Sequence, residues 1–219
     1  LQQDAEELDD VFTESIEEDS AADILTLFLK EQKKELLRKR NNLTMAVYEY
    51  AFENRERMLE KVCGVVKEHI ERYAGLSVTF SGQINCHHNY AALENHYDAD
   101  VWVHRKGATR VRQGELAVIP GAMGSYSYVV EGKGNPESFH TSSHGAGRAY
   151  SRSGAMQAFT TEQVIVDLKE KGVILGKRKK NDVAEECRFA YKDIDEVMSQ
   201  QSDLVTPIRK LKTVGVVKG

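Results

Sequence analysis

The texture of the chain changes at Gly75. Before it, apolar residues recur at spacings of three and four; after it they come in short alternating or β-branched runs broken by Gly and Pro. A chain carrying both patterns in that order is constrained to an α+β fold, helical first and mixed afterwards.

The segment from Ala21 to about Asn41 sets Ile24, Leu25, Leu27, Phe28, Leu36 and Leu37 among Lys, Glu and Arg, which suits a helix. A second helix is expected from about Leu43 to Ile70, where Val47, Tyr50, Ala51, Met58, Leu59, Val62, Val65 and Val66 share helical spacing. Asn42 is available as its cap, and a break is expected near Cys63–Gly64. Strands are expected at Leu76–Phe80, Asp100–Val103, Leu116–Ile119 and Tyr126–Val130. Helices are expected from His144 to about Phe159, over Glu162–Lys171 and over Asp193–Gln200, with an apolar close at Val214, Val216 and Val217.

At 219 residues and 41% hydrophobic content the chain can bury a core without disulfide staples. Cys63, Cys86 and Cys187 are odd in number and unrelated in spacing, which argues against a disulfide framework and a CxxC zinc module. Mean hydropathy is −0.49, and no apolar run is long enough to cross a membrane. No signal peptide is visible, so the expected compartment is the cytoplasm; opening at Leu1 instead of Met suggests a fragment.

Charge is segregated. Residues 1–19 hold nine acids and no base, so removing them turns a net charge of −4 into +5. Basic clusters follow at Lys33, Lys34, Arg38, Lys39 and Arg40, at Arg105, Lys106, Arg110 and Arg112, at Lys177 to Lys180, and at Arg209, Lys210 and Lys212. Polyanion partners must be met by such local patches, although a solvated face is the commoner meaning of each.

All seven histidines lie between His69 and His144, densest at Cys86-His87-His88-Asn89-Tyr90. If that segment continues a strand, Cys86 and His88 share one face and His87 the other, so at most two reach one metal. A hydrogen-bonded turn without metal explains the residues equally well. His96 reads as a surface residue. Ser142-Ser143-His144-Gly145-Ala146-Gly147-Arg148 combines cap residues with glycines that let a ligand approach the backbone. A helix starting at His144 would set His144, Arg148 and Arg152 on one stripe, a potential nucleophile in line with two phosphate-binding guanidiniums. A capped helix start with surface arginines is the plain alternative. Ile119-Pro120-Gly121-Ala122-Met123-Gly124-Ser125 looks like a phosphate-cradling loop but lacks the Walker lysine, and a strand-to-strand turn uses the same residues. Arg105 and Lys106 can deliver two cations to a phosphate, or simply end a strand in solvent.

Together these pieces closely resemble the RtcB-type RNA-splicing ligases, bacterial branch. The resemblance rests on CHHNYAALE (86–94), HRKGA (104–108), IPGAMGSYSY (119–128), SSHGAGRAYSR (142–152), AYKDIDEVM (190–198), QSDLV (201–205) and VVKG (216–219), with YEYAFENRERM (48–58) like the helix before the histidine motif. It implies a GTP- and Mn²⁺-dependent ligase of tRNA splicing or RNA repair, joining RNA 3′-phosphate or 2′,3′-cyclic phosphate ends to 5′-hydroxyl ends through a histidine–GMP intermediate. The fold it implies is the C-terminal half of the RtcB fold, with a largely antiparallel sheet. The nucleophile role falls on His144 and manganese ligation on His88. Nucleotide contacts fall on Asn89, Pro120, Gly121, Ala122, Met123, Ser127, Gly145, Ala146 and Gly147. Tyr191 would stack on guanine and Lys218 bond its edge, while Lys106, Arg148 and Arg152 would hold RNA phosphate.

Residues 43–219 then read as an incomplete catalytic half and residues 1–42 as a variable acidic segment and helix. Family members are about twice as long. Their aspartate and cysteine in a Gly-rich segment, two further histidines of the two-manganese site and an Asn-His segment have no counterpart before His88, and Ala122 stands where the family usually has serine. The chain is expected to be a fragment, a split half completed by a second chain, or a remnant without activity. A catalytically silent GTP- or RNA-end-binding module is the alternative function.

Overall fold

The computed structural model describes residues 21–176 and 183–217, the side chains of 21–29, 36–38 and 40–45 excepted. The acidic segment, the Lys177–Lys180 cluster, Lys218 and the side chains of the first expected helix's apolar residues and of Asn42 lie outside the described residues. The chain divides into two compact units, Leu1–Ser81 and Gly82–Gly219.

Among the described residues of the first unit one helix, α1 (Ala21–Ala74), runs where two were expected. Cys63–Gly64 does not break it. Ion pairs one turn apart, Glu53–Arg57 at 2.7 Å, Lys67–Glu71 at 3.9 Å and Glu68–Arg72 at 3.2 Å, lie on both sides of Gly64. Each contributes a few tenths of a kcal/mol, roughly 0.2–0.5, against a cost of about 1 kcal/mol for one glycine.

The second unit is built of short, mostly antiparallel strands. Strands β1 (Asn89–His96) and β2 (Ala99–Lys106) form a hairpin running from Asn89 opposite Lys106 to His96 opposite Ala99. Its two-residue turn, Tyr97-Asp98, has φ of 54° and 62°, the left-handed pair that matches the twist of the strands it joins. Strand β3 (Ala108–Arg110) pairs antiparallel with β6 (Thr141–Ser143). Strands β4 (Leu116–Ile119), β5 (Tyr126–Gly132) and β8 (Val205–Lys212) make a three-stranded antiparallel sheet. Strands β7 (Ile174–Gly176) and β9 (Gly215–Val217) pair in parallel. The expected strand at Leu76–Phe80 is irregular and joins no ladder among the described residues.

Helices α2 (Arg152–Ala158), α3 (Thr161–Glu170) and α4 (Ile194–Ser199) complete the unit. The Thr160 hydroxyl accepts from the Gln163 amide while the Gln163 side chain bonds the Thr160 amide, a reciprocal cap that starts α3. Asp193 caps α4. One buried cluster joins Ala117, Ile119, Tyr128 and Val130 of the sheet to Ile194 and Met198 of α4. A second gathers Val164 and Leu168 of α3 with Met123, Val183 and Cys187. Tyr191 packs against both.

Candidate active site

His144 does not begin a helix. The backbone of residues 144–149 bonds outward: the Ala146 amide donates to Pro120 O at 3.0 Å, Gly147 O accepts from the Lys192 amide at 3.0 Å, and the Ala149 amide reaches Ala190 O at 2.9 Å. These partners leave no i to i−4 ladder, so the helix starts only at Arg152, capped by the Ser151 hydroxyl on the Gly154 amide at 3.0 Å. The expected stripe of His144, Arg148 and Arg152 on one helix is therefore corrected. His144 stands on a loop directly after β6, and Arg152 opens α2.

The loop sets the His144 ring against that of His88, with centroids 5.3 Å apart and planes inclined by 26°. The condition that Cys86–His88 continue a strand is not met: residues 82–88 are irregular and β1 begins at Asn89. Gly107, just past β2, ties the pieces together. Its amide donates to His88 O at 3.0 Å and to Asn89 Oδ1 at 3.1 Å, and its carbonyl accepts from the His144 amide at 3.4 Å. With φ of +67°, and a would-be Cβ 3.6 Å from His144 Cε1, this position suits glycine. Burial lowers the His144 pKa, the neighbouring His88 charge lowers it further, and a hydrogen bond with Gly107 opposes them. The shift favours the neutral ring, the form with a lone pair available for attack.

The turn between β4 and β5 forms another wall. The Gly121 amide donates to Ser127 Oγ at 3.3 Å and the Ser125 amide to Ala122 O at 2.9 Å. A Cβ on Gly121 would lie 2.1 Å from Tyr126 O, so only glycine fits. Pro120 O meets Ala146, and a Cβ on Gly145 would sit 3.0 Å from the same oxygen. The structure thus brings together His88, Asn89, Pro120, Gly121, Ser127, His144, Gly145 and Ala146. Ala122 lies in the same turn; Met123 is buried in the second cluster and bridges to Cys187.

Arg148 and Tyr191 face each other across a backbone bridge. The Arg148 guanidinium donates to Tyr191 Oη at 2.9 Å, to Tyr150 O at 2.9 Å and to Glu185 O, pairs with Glu186 at 3.5 Å, and lies 4.8 Å from the Tyr191 ring centre. The Tyr191 hydroxyl donates to Glu186. Arg148, expected to hold RNA phosphate, thus directs its guanidinium to its own chain. Lys106 is exposed at the end of β2 and Arg152 is exposed at the start of α2.

Two expectations are overturned. His96 is buried, not on the surface: its Nε2 lies 3.0 Å from Glu94 Oε2 and its ring 4.9 Å from that of Phe139. Arg105, read as a phosphate cation or a solvated strand end, is buried in an ion pair with Glu94 at 2.7 Å. The signal for both lay in the hairpin: strand alternation around a turn at 97–98 sets Glu94, His96 and Arg105 on one face with Tyr90 and Val103. Gly107 also went without a role in the sequence, although a glycine directly after a strand marks a close backbone approach.

The family model described as tRNA-splicing ligase RtcB matches residues 14–219. The class is thus an RNA-ligase family, and the chain belongs to RtcB. The RNA-splicing ligase RtcB of Escherichia coli K12 is 42% identical over 171 residues, covering 78% of this chain and 41% of that relative. The tRNA-splicing ligase RtcB of Methanococcus maripaludis is 39% identical over 153 residues (60% and 32%), and the RNA-splicing ligase RtcB of Mycobacterium tuberculosis 40% identical over 152 (60% and 35%). The chain spans well under half the length of these curated relatives. No described helix is long and apolar enough to cross a membrane.

Proposed function

We propose that this chain carries the nucleophile of a GTP- and Mn²⁺-dependent RNA ligase that joins 3′-phosphate or 2′,3′-cyclic phosphate ends to 5′-hydroxyl ends. Family membership supports the reading, and one geometric observation carries it: the His144 ring stacked 5.3 Å from that of His88, beside the Pro120-Gly121 turn. In the first step a His144 nitrogen attacks the α-phosphorus of GTP; the N–P bond forms, the bond to the bridging oxygen breaks, and pyrophosphate leaves. The guanylyl group then passes from His144 to the RNA 3′-phosphate, and attack by the 5′-hydroxyl releases GMP. A cyclic phosphate is opened by hydrolysis first.

Asn89, Ser127 and residues 120–123 and 145–147 contact the nucleotide, with guanine on the Tyr191 ring and Lys218 at its edge. Lys106 and Arg152 hold RNA phosphate; Arg148 holds the 144–148 loop to Tyr191 and Glu186. The donors of this chain do not by themselves fit manganese. His88 offers one imidazole, and among the described residues no three of His, Cys, Asp and Glu gather, whereas manganese takes several nitrogen or oxygen ligands. The other ligands are proposed to come from the region the relatives have and this chain does not span, in the same protein or on a second chain.

That shortage favours the second reading, a GTP- or RNA-end-binding half that is silent alone. Incubation with α-labelled GTP and Mn²⁺ separates the two. Acid-labile label on the chain alone, lost in His144→Ala, establishes a self-sufficient guanylylation site. Label only after adding the N-terminal portion of the Escherichia coli relative establishes a half-enzyme. No label in either case removes the ligase reading.

A further inference from the structure

We propose that Arg105 is a positioning residue whose guanidinium clamps the hairpin presenting His88 and Asn89 to the strand delivering His144, so that it sets the spacing of the two imidazoles. The proposal rests on reading that histidine pair as the reactive site.

A guanidinium has five N–H donors in a fixed planar fork, and Arg105 engages all five. Nε donates to Thr141 Oγ1 at 2.9 Å; Nη1 to Glu94 Oε1 at 2.7 Å and Tyr90 Oη at 3.3 Å; Nη2 to Glu94 Oε2 at 2.9 Å and Phe139 O at 2.8 Å. Three of those acceptors belong to β1, and two belong to the segment entering β6. The side chain is 1% exposed, so each bond forms where water does not compete, and a lost partner leaves a buried charge unpaired.

Both ends of the clamp lie close to the chemistry. Two residues after Arg105, the Gly107 amide holds His88 O and Asn89 Oδ1. Three residues after Thr141 comes His144, and between them Ser142 and Ser143 pair with Thr109 and Ala108. Sliding the hairpin against β6 therefore changes the distance between the rings. A lysine at 105 keeps the charge but not the fork, and cannot reach β1 and β6 together.

The test is nuclear Overhauser contact between the ring protons of His88 and His144 in the full chain, uniformly labelled so that the cross-strand contacts of the hairpin are read from the same sample. Arg105→Gln is the first variant and Thr141→Val the second, the latter removing the Nε link together with the Thr141 hydroxyl's own bond to Phe139 O, and leaving the Glu94 and Tyr90 bonds in place. Catalytic geometry is lost at displacements of about 1 Å. From a 5.3 Å start such a shift weakens the inter-ring cross-peak about threefold through its inverse sixth-power dependence. That loss in either variant, with Glu94–Val101 cross-strand contacts unchanged, supports the clamp; a merely structural role would weaken both sets together. Cross-peaks at wild-type strength in both variants overturn it. If Arg105→Gln loses the hairpin contacts as well, Thr141→Val decides alone. The ligase reading fails separately: absence of guanylyl label leaves the inter-ring result standing, and label with unshifted rings in both variants removes only the clamp.

Discussion

Glu94 is a carboxylate that burial alone would neutralise. Burial pushes its pKa up, but hydrogen bonds from Arg105 and His96 and the Arg105 charge outweigh this and hold it at about 2 against an ordinary 4.5. The folded value is the depressed one, so the stabilisation is complete above the unfolded pKa near 4.5 and is lost as pH falls through about 2. Acid titration followed by circular dichroism should show the wild type losing stability between those values, and Glu94→Gln losing less with acid from a start about 3–5 kcal/mol lower. At this scale the sequence was informative about His88 and His144 as residues, since imidazoles beside Asn and Gly are a chemical signal in themselves. It was uninformative about Arg105. A charged residue on a strand looks the same whether it faces solvent or a buried partner, until the register is known.

The hairpin of β1 and β2 turns without glycine or asparagine, and both turn residues pay in left-handed backbone strain. Asp98→Gly should relieve part of it and raise stability by roughly 0.5–1 kcal/mol in a urea titration, with the Glu94–Arg105 pair intact. Elements whose bonds are local were legible. Strand Leu116–Ile119 has the expected bounds, and α3 and α4 lie within a residue of theirs because their caps stand next to them in sequence. The segment 144–151 was not legible as a loop. Its backbone partners are Pro120, Ala190 and Lys192, and no local pattern of Ser, Gly and Arg reveals bonds to residues that distant. Leu76–Phe80 failed for the converse reason, a β-like composition with no strand beside it.

Across the whole molecule, charge separates what local motifs do not. With nine acids in residues 1–19 and a net +5 elsewhere, the acidic segment repels the polyanion that the basic remainder attracts. Removing residues 1–19 should tighten binding of a 3′-phosphorylated RNA oligonucleotide at low salt in fluorescence anisotropy. The difference should fade as salt shortens the screening length, about 8 Å at physiological strength. Equal affinity at low salt would show that the segment exerts no such field. The fold class was legible at this scale from the change at Gly75; the division into two buried clusters joined by Tyr191 was not, because packing between clusters leaves no period in the sequence.

The outward bonds of the His144 loop also bear on synthesis of the chain. Gly147 waits for Lys192, about 45 residues later, which at roughly 5–20 residues per second is about 2–9 s of translation. Until then His144 rides on an unclosed segment, whatever sheet has already formed behind it. The placement of His144 is thus a late product of vectorial folding, and a nascent chain stopped short of Tyr191 carries the residue without the loop that presents it.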